Sequence, residues 1–426
     1  MNSPRLFAAS CVALIVTAMS FALRTAAVGA WAAEFHLTYE QVGLINAAAF
    51  WGFTLAMIFG GPLCDALGMR RIMGLASLGH LVGILLTVFS WNYWSLFIGT
   101  LVFGIANGSV EAAANPLIAT LFPEDRTTKL NHFHAWFPGG IVIGGLAAFA
   151  LAKLDLGWKA QFSTMLIPLA IYAFMFLGQA FPRTERVEKG VSTGSMWAAC
   201  FNPLFLLMVG CMLMTAATEF GSQNWIPTIL SNAGVSGILV LVWITGLMWA
   251  GRQFAGVFVH RISPPGMLVL SAVLSALGLY AMSRTTGTML FATATVFALG
   301  VCFFWPTMLG TVSERFPRTG ALGLAIMGGA GMMSASYIVP LVGHWFDNAI
   351  AVRVPAGDTK DALMAAAPGT ARAAQWMQIQ ASAGLESLGK LAALPSVLAV
   401  IFLGLYLLWR KKAAPRIVAA AAPASN

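Results

Sequence analysis

Three polar side chains spaced four apart, Asn107, Glu111 and Asn115, stand in the stretch NGSVEAAANP, which is otherwise small and apolar. On a helix they stack along one face, about 6 Å apart per step. Such a face cannot meet lipid, because an ionised carboxylate near the centre of a bilayer costs at least about 2.5 kcal/mol. Glu111 must therefore face a wet cavity, meet a cation or carry a proton, as a proton-coupling carboxylate does; a hydrogen-bonded core glutamate without a transport role is the alternative. Arg24 poses the converse question inside the first apolar stretch. A guanidinium there either snorkels to the headgroups or offers its fork of donors to a carboxylate or phosphate. By depth, Arg24 and Glu111 lie roughly 10 to 15 Å apart along the membrane normal, too far for a direct salt bridge.

Other residues supply the parts of a solute site. Asn131, His134, Gln223 and Asn224 offer hydroxyl-bonding groups, and Trp136, Trp225, Trp249 and Trp305 offer flat apolar faces of the kind that sugar rings meet. Most membrane tryptophans are interfacial or packing residues, which is the competing reading for each. Glu219 lies toward the outer third of its apolar stretch, where a helix cap or a gating ion pair competes with binding. His132 and His134 are two apart and point to different sides of a helix, a poor metal site. His80 and His344 have no evident role. No nucleophile motif, Walker loop or metal-ligand spacing is present, so the reading expects neither an enzyme nor a cofactor or metal.

The elements that position these residues follow from composition. The 426 residues are 59% hydrophobic and 9% charged, with a mean hydropathy of +0.80, whereas soluble domains are roughly 25% charged. This is an all-α membrane protein, since apolar stretches of about 20 residues recur along the chain and each suffices to cross about 30 Å of hydrocarbon. Twelve spans are expected near residues 7–31, 41–63, 72–90, 94–119, 132–152, 160–181, 202–229, 236–258, 266–283, 288–310, 320–343 and 391–409. Sixteen Lys and Arg residues then fall on the side of the termini and seven on the other, which makes both termini cytoplasmic. The net charge of +9 needs no nucleic-acid partner under this topology. The first span has the charged start and apolar run of a signal peptide, yet its removal would leave an odd, inverted topology, so it is read as retained. Five cysteines sit in or beside spans and read as small core residues.

A charge-mixed segment, FPRTERVEKGVSTGSM, divides the chain into six spans plus six. We place the first half at residues 1–181, a cytoplasmic linker at 182–199 and the second half at 200–426, with an extracytoplasmic insertion at 347–390. The insertion's ARAAQWMQIQASAGLESLGKL reads as a helix that rests on the outer face and runs into the last span. Landmarks recur at an offset of 190 residues, Gly61 with Gly251 and Pro116 with Pro306, as parallel repeats predict.

The turn GGPLCDALGMRR resembles the signature of the major facilitator superfamily, matching it at Gly61, Asp65, Gly68, Arg70 and Arg71, while Ala66 and Met69 replace basic residues usual there. GRQFAGVFVHR, residues 251–261, is its degenerate counterpart. The resemblance implies two six-helix halves rocking about a central site, with Asp65, Gly68, Arg70, Arg71, Glu219 and Arg252 in gating roles. EAAANPLIATLFPEDRTTKLNHFHAWFPGG, with TEFGSQNWIPTIL, is similar to the fucose permease branch, the sugar:proton symporters; Glu111, Ala113, Asn115, Pro116, Leu130, Asn131, Glu219 and Trp225 match, and His134 replaces a glutamine. That branch carries an Asn-Asp pair where this chain has Arg24-Thr25, so a cation stands in place of an acid. The resemblance implies an inner-membrane, proton-coupled transporter of a sugar or sugar-like solute, a functional monomer whose partners are substrate, protons and lipid. Glu111 is its proton-coupling group. Its substrate-binding candidates are Arg24, Asn107, Asn115, Asn131, His134, Trp136, Gln223, Asn224, Trp225 and Trp305. An acidic sugar or other organic anion bound by Arg24 is the alternative substrate, and a non-transporting membrane sensor or scaffold the alternative class.

Overall fold

Helices begin where the sequence places a capping side chain. In a computed structural model that describes residues 2–122, 126–182, 194–253 and 262–411, the Asn2 side chain accepts from Arg5 N at the start of α1 (Ser3–Glu34). Thr38 and Gln41 form a reciprocal capping box at α2 (Tyr39–Leu67), and Asn92 with Ser95 does the same at α4 (Tyr93–Leu121). Each cap satisfies amides that the first turn leaves without partners. Between α2 and α3 (Met69–Val88) the chain turns at a single residue, Gly68, whose φ of +84° is one that side chains resist.

The first half continues with α5 (Arg126–Lys153), α6 (Trp158–Ser163) and α7 (Leu166–Phe176). After α8 (Gly194–Cys200), the second half comprises α9 (Pro203–Ser231), α10 (Gly237–Gln253), α11 (Pro264–Met282), α12 (Met289–Val301), α13 (Phe304–Arg315), α14 (Gly320–Arg353), α15 (Lys360–Met364), α16 (Ala371–Leu391) and α17 (Ala393–Lys411). Among the described residues eleven helical stretches are long and apolar enough to cross a membrane, and Gly237–Arg252 is a shorter apolar helix. These are the spans expected from hydropathy. Most of the charged linker, residues 183–193, and most of the counterpart turn, residues 254–261, lie outside the described residues.

The tenth span departs from the continuous helix expected of it. It breaks at Cys302 and Phe303 between α12 and α13, because Pro306 has no N–H to give to the Cys302 carbonyl four residues back. That carbonyl accepts instead from Arg252 Nε on α10, at 3.1 Å. The first half solves the same problem at Pro116, where the Ala112 carbonyl accepts from Cys64 Sγ on α2 at 3.6 Å. The proline and the carbonyl it orphans thus recur at the 190-residue offset, and each carbonyl takes a donor from a neighbouring helix. All five cysteines are buried, and none is in a disulfide among the described residues.

The most extensive helix pairings between the halves are α2 against α14, α5 against α10 and α1 against α9. Backbones of the two halves nearly touch at Gly43, where a Cβ would stand 2.7 Å from Pro340 Cα, and at Gly343, where one would stand 2.6 Å from Tyr39 O, so nothing larger than glycine fits at either. Around them α2 and α14 close together on the face that carries residues 354–392. Tyr39 stacks on Phe346 with ring centroids 4.6 Å apart and meets Trp225 edge-on. Glu40 Oε2 lies 2.8 Å from His344 Nδ1, and Lys360 pairs with Asp347 at 3.0 Å. Helix α16 does not merely rest on this face. Trp376, Ile379, Gln380, Ala383, Ser387 and Leu388 are buried along one side of it, and Gly384 backs onto Ile229 of α9. Gln380 Nε2 reaches across to donate to Tyr39 Oη of the first half at 2.7 Å.

Candidate functional site

Arg24 is 1% exposed, in the middle of α1. It neither snorkels nor meets an acid: Nε donates to Ser20 O at 3.1 Å, and Nη1 to Asn46 O at 3.1 Å and Asn46 Oδ1 at 3.4 Å. Its guanidinium carbon sits 4.9 Å from the Phe21 ring centroid and 5.7 Å from that of Phe50, which returns part of the desolvation cost as cation–π attraction. Nη2 has no hydrogen-bond partner, and neither has Asn46 Nδ2 beside it. Two donors on adjacent helices therefore lack an acceptor where the arginine has no counter-charge.

The rings that hold Arg24 also plug the molecule. Phe21 packs against Phe50, Phe137 and Phe220 with centroid separations of 5.4, 5.2 and 6.1 Å, so both halves contribute to one aromatic cluster. Next to it lies a constriction of only about 10 Å³, lined by Thr25, Gln223 and Asn224 as well as Phe21, Phe50 and Phe220. Gln223 Nε2 contacts Met248 Sδ at 3.4 Å, and Asn224 Oδ1 is buried with no partner. Toward the insertion lies a separate cavity of about 680 Å³ between the halves.

The stripe that contains Glu111 divides in two. Asn115 Nδ2 donates to Glu111 Oε2 at 3.0 Å, and Asn115 Oδ1 lies 3.1 Å from His134 Nε2, so α4 and α5 bring a carboxylate, an amide and an imidazole into one chain. Asn107 points elsewhere. It is fully buried, with Oδ1 2.9 Å from His80 Nε2 and Nδ2 donating to Ser20 Oγ at 3.2 Å. His80 Nδ1 in turn lies 2.8 Å from Tyr172 Oη. Since Asn107 Oδ1 can only accept, His80 donates from Nε2 and Tyr172 donates to Nδ1. The direction of every bond is thereby fixed from α7 through α3 and α4 to α1.

In the second half Glu219 Oε1 lies 3.9 Å from Arg252 Nη2, an ion pair within one half between α9 and α10. Trp225 is fully buried and donates to Val339 O at 2.9 Å, so it is packed into the closed face and not laid flat against a cavity. Trp305 meets Phe220 edge-on at 6.2 Å. Trp136 and Trp249, both well exposed, flank Gly139 where α5 meets α10. Arg70 and Arg71 are exposed at the Gly68 turn, while the side chains of Asp65 and Asn131 lie outside the described residues.

Sequence reasoning left His80 without a role and passed over Asn46 and Tyr172. The logic applied to Glu111 extends to the first two, because a lone amide or imidazole within an apolar span also needs a partner. Tyr172 carries no such signal, since its ring packs as any aromatic does.

Comparisons with known proteins agree with the architecture. The sequence profile of the Major Facilitator Superfamily matches residues 9–337. The chain is similar to the gentisate transporter of Corynebacterium glutamicum, 23% identical over 74% of this chain and 76% of that one. It is also similar to the D-xylose transporter of Levilactobacillus brevis, 28% identical over 34% of this chain and 31% of that one, less than a third of that protein's length. Among solved structures, a bacterial homologue of the human lysosomal transporter Spinster superposes with a TM-score of 0.76 at 14% identity, covering 96% of this chain and 98% of that one.

Proposed function

Because the chain belongs to the major facilitator superfamily and is a multi-pass membrane transporter of a small solute, we propose that this solute is an organic anion whose carboxylate binds Arg24. The observation that carries the reading is the buried guanidinium with an unpartnered Nη2 and no acid beside it. A carboxylate supplies what the site lacks, an acceptor for both Arg24 Nη2 and Asn46 Nδ2 and a counter-charge for the cation. The surrounding rings of Phe21, Phe50, Phe137 and Phe220 suit an apolar or aromatic body. The gentisate transporter, matched over three-quarters of both chains, supports this choice over the sugar first expected. A sugar remains the second reading, favoured by the unpartnered Asn224 Oδ1 beside Gln223 and Thr25 at the constriction.

Transport proceeds by alternating access between the two halves, with residues 1–181 and 200–426 as the rocking units and the termini on the cytoplasmic side of an inner membrane. Glu111 is the proton carrier, and Asn115 holds it in place by donating to Glu111 Oε2 while its Oδ1 faces His134 Nε2. The test is uptake into proteoliposomes with an imposed proton gradient, offering gentisate, benzoate and D-xylose in turn. Saturable accumulation of an aromatic acid, lost in Arg24→Gln, is expected. Accumulation of D-xylose alone would replace this reading with the sugar one, and binding without flux would favour a sensor.

A further inference from the structure

We infer that the 680 Å³ cavity under the insertion is a second anion-binding site, an antechamber that holds the substrate carboxylate before it reaches Arg24; the inference rests on the organic-anion reading above. The volume falls within the roughly 300 to 1,000 Å³ of small-molecule sites. Its wall carries a single ionised side chain, Lys153 of α5, and no aspartate or glutamate among the described residues. Among the described residues Lys153 forms no ion pair; it is exposed, and its ammonium lies 5.7 Å from the Phe149 ring centroid. A cation without an acid in a low-dielectric recess concentrates anions there.

The rest of the wall has the parts of an oriented site. Gln161 gives Nε2 to Leu156 O, and Asn232 gives Nδ2 to Thr228 O, which leaves both side-chain oxygens available to hydroxyls. Phe149 of α5 and Trp376 of α16 provide flat faces. The insertion thus builds part of the wall and is not a cover added to a finished site. The antechamber also lies in line with the constriction, since the same three helices wall both. On α1 the lining passes from Gly29 in the cavity to Thr25 at the constriction, on α5 from Ala148 to Ile141, and on α9 from Ser231 to Asn224. Each step is one or two helical turns toward the aromatic plug.

Equilibrium binding of radiolabelled gentisate to the purified full-length protein counts the sites. Wild type is expected to bind two molecules per chain, Arg24→Gln one, and Lys153→Gln combined with Trp376→Leu one. Lys153→Gln alone is expected to weaken the outer site about five-fold, the scale of one charge-assisted contact at an exposed position. D-xylose is expected to displace neither molecule. Lys153 is exposed, so an unchanged melting temperature in Lys153→Gln excludes misfolding as the cause. One site in wild type that vanishes in Arg24→Gln and persists in the double variant overturns the antechamber while leaving the transport reading intact. Loss confined to the double variant, with Arg24→Gln binding as wild type, keeps the antechamber and overturns the Arg24 reading. No binding to any of these proteins overturns both.

Discussion

Arg24→Met separates a binding arginine from a structural one, because the two roles predict opposite changes in stability. Burying a guanidinium costs several kcal/mol. It recovers about 1.5 to 3 kcal/mol from each of the two 3.1 Å hydrogen bonds and up to about 2 kcal/mol from the Phe21 and Phe50 rings. The unpartnered Nη2 then takes back about 1 to 3 kcal/mol. Methionine removes the desolvation cost and the orphaned donor, and its apolar side chain is worth about 1.5 to 3 kcal/mol on burial. Exchanging a buried ion for an apolar residue is commonly neutral or stabilising by about 1 to 4 kcal/mol, so the ligand-free variant should melt at the same temperature as wild type or a few degrees higher. Binding should move the other way. Removing one partner of a buried charge pair costs about 3 to 5 kcal/mol, which is two to three and a half orders of magnitude in Kd at about 1.4 kcal/mol per decade. Thermal unfolding of purified protein, with and without whichever carboxylate stabilises wild type most, measures both quantities. A variant that melts several degrees lower yet is still stabilised by that carboxylate as wild type is would refute the reasoning.

Three further outcomes are expected. Glu111→Gln should abolish accumulation driven by a proton gradient while leaving counterflow intact, and uptake that keeps its gradient dependence would exclude Glu111 as the carrier. Tyr172→Phe takes away the donor to His80 Nδ1 and should lower stability by about 1 to 2 kcal/mol, seen as a lower melting temperature with an unchanged KM; a raised KM at constant stability would move His80 into the substrate site. Gly43→Val puts a side chain where Pro340 Cα stands 2.7 Å from the Cβ position, so the closed face should be wedged apart. In a background without the native cysteines, Gln223→Cys should then react faster with a thiol reagent added from the insertion side, and an unchanged rate would show that the halves close regardless.

Hydropathy alone made the spans legible, because lipid demands length and apolarity before anything else. The insertion helix was equally plain from its helix formers, yet the depth to which it sinks was not, since Gly384 against Ile229 is a contact between elements far apart in sequence. The stripe of Asn107, Glu111 and Asn115 shows where pattern reasoning stops. A four-residue step advances a helix by about 400°, so each residue drifts about 40° past the last and Asn107 stands about 80° from Asn115. That drift is enough to put Asn115 on Glu111 and His134, and Asn107 on His80. Trp225 was misjudged as a platform for the same kind of reason: its position on α9 was known, but Val339, which takes its N–H, comes from α14. The break before Pro306 was visible in principle, because a proline inside a span always orphans a carbonyl.

The one-way chain from Tyr172 to Ser20 has a mechanical consequence. It ties α7, α3, α4 and α1 by bonds that each require a specific donor facing a specific acceptor, so none of these helices can roll about its axis without stranding a polar group where no water can replace the partner. A lever that flexes spends its stroke on its own deformation. By stiffening the arm that carries Arg24, the chain makes a tilt imposed at one membrane face arrive undiminished at the other, and the arginine is carried with the arm instead of lagging behind it.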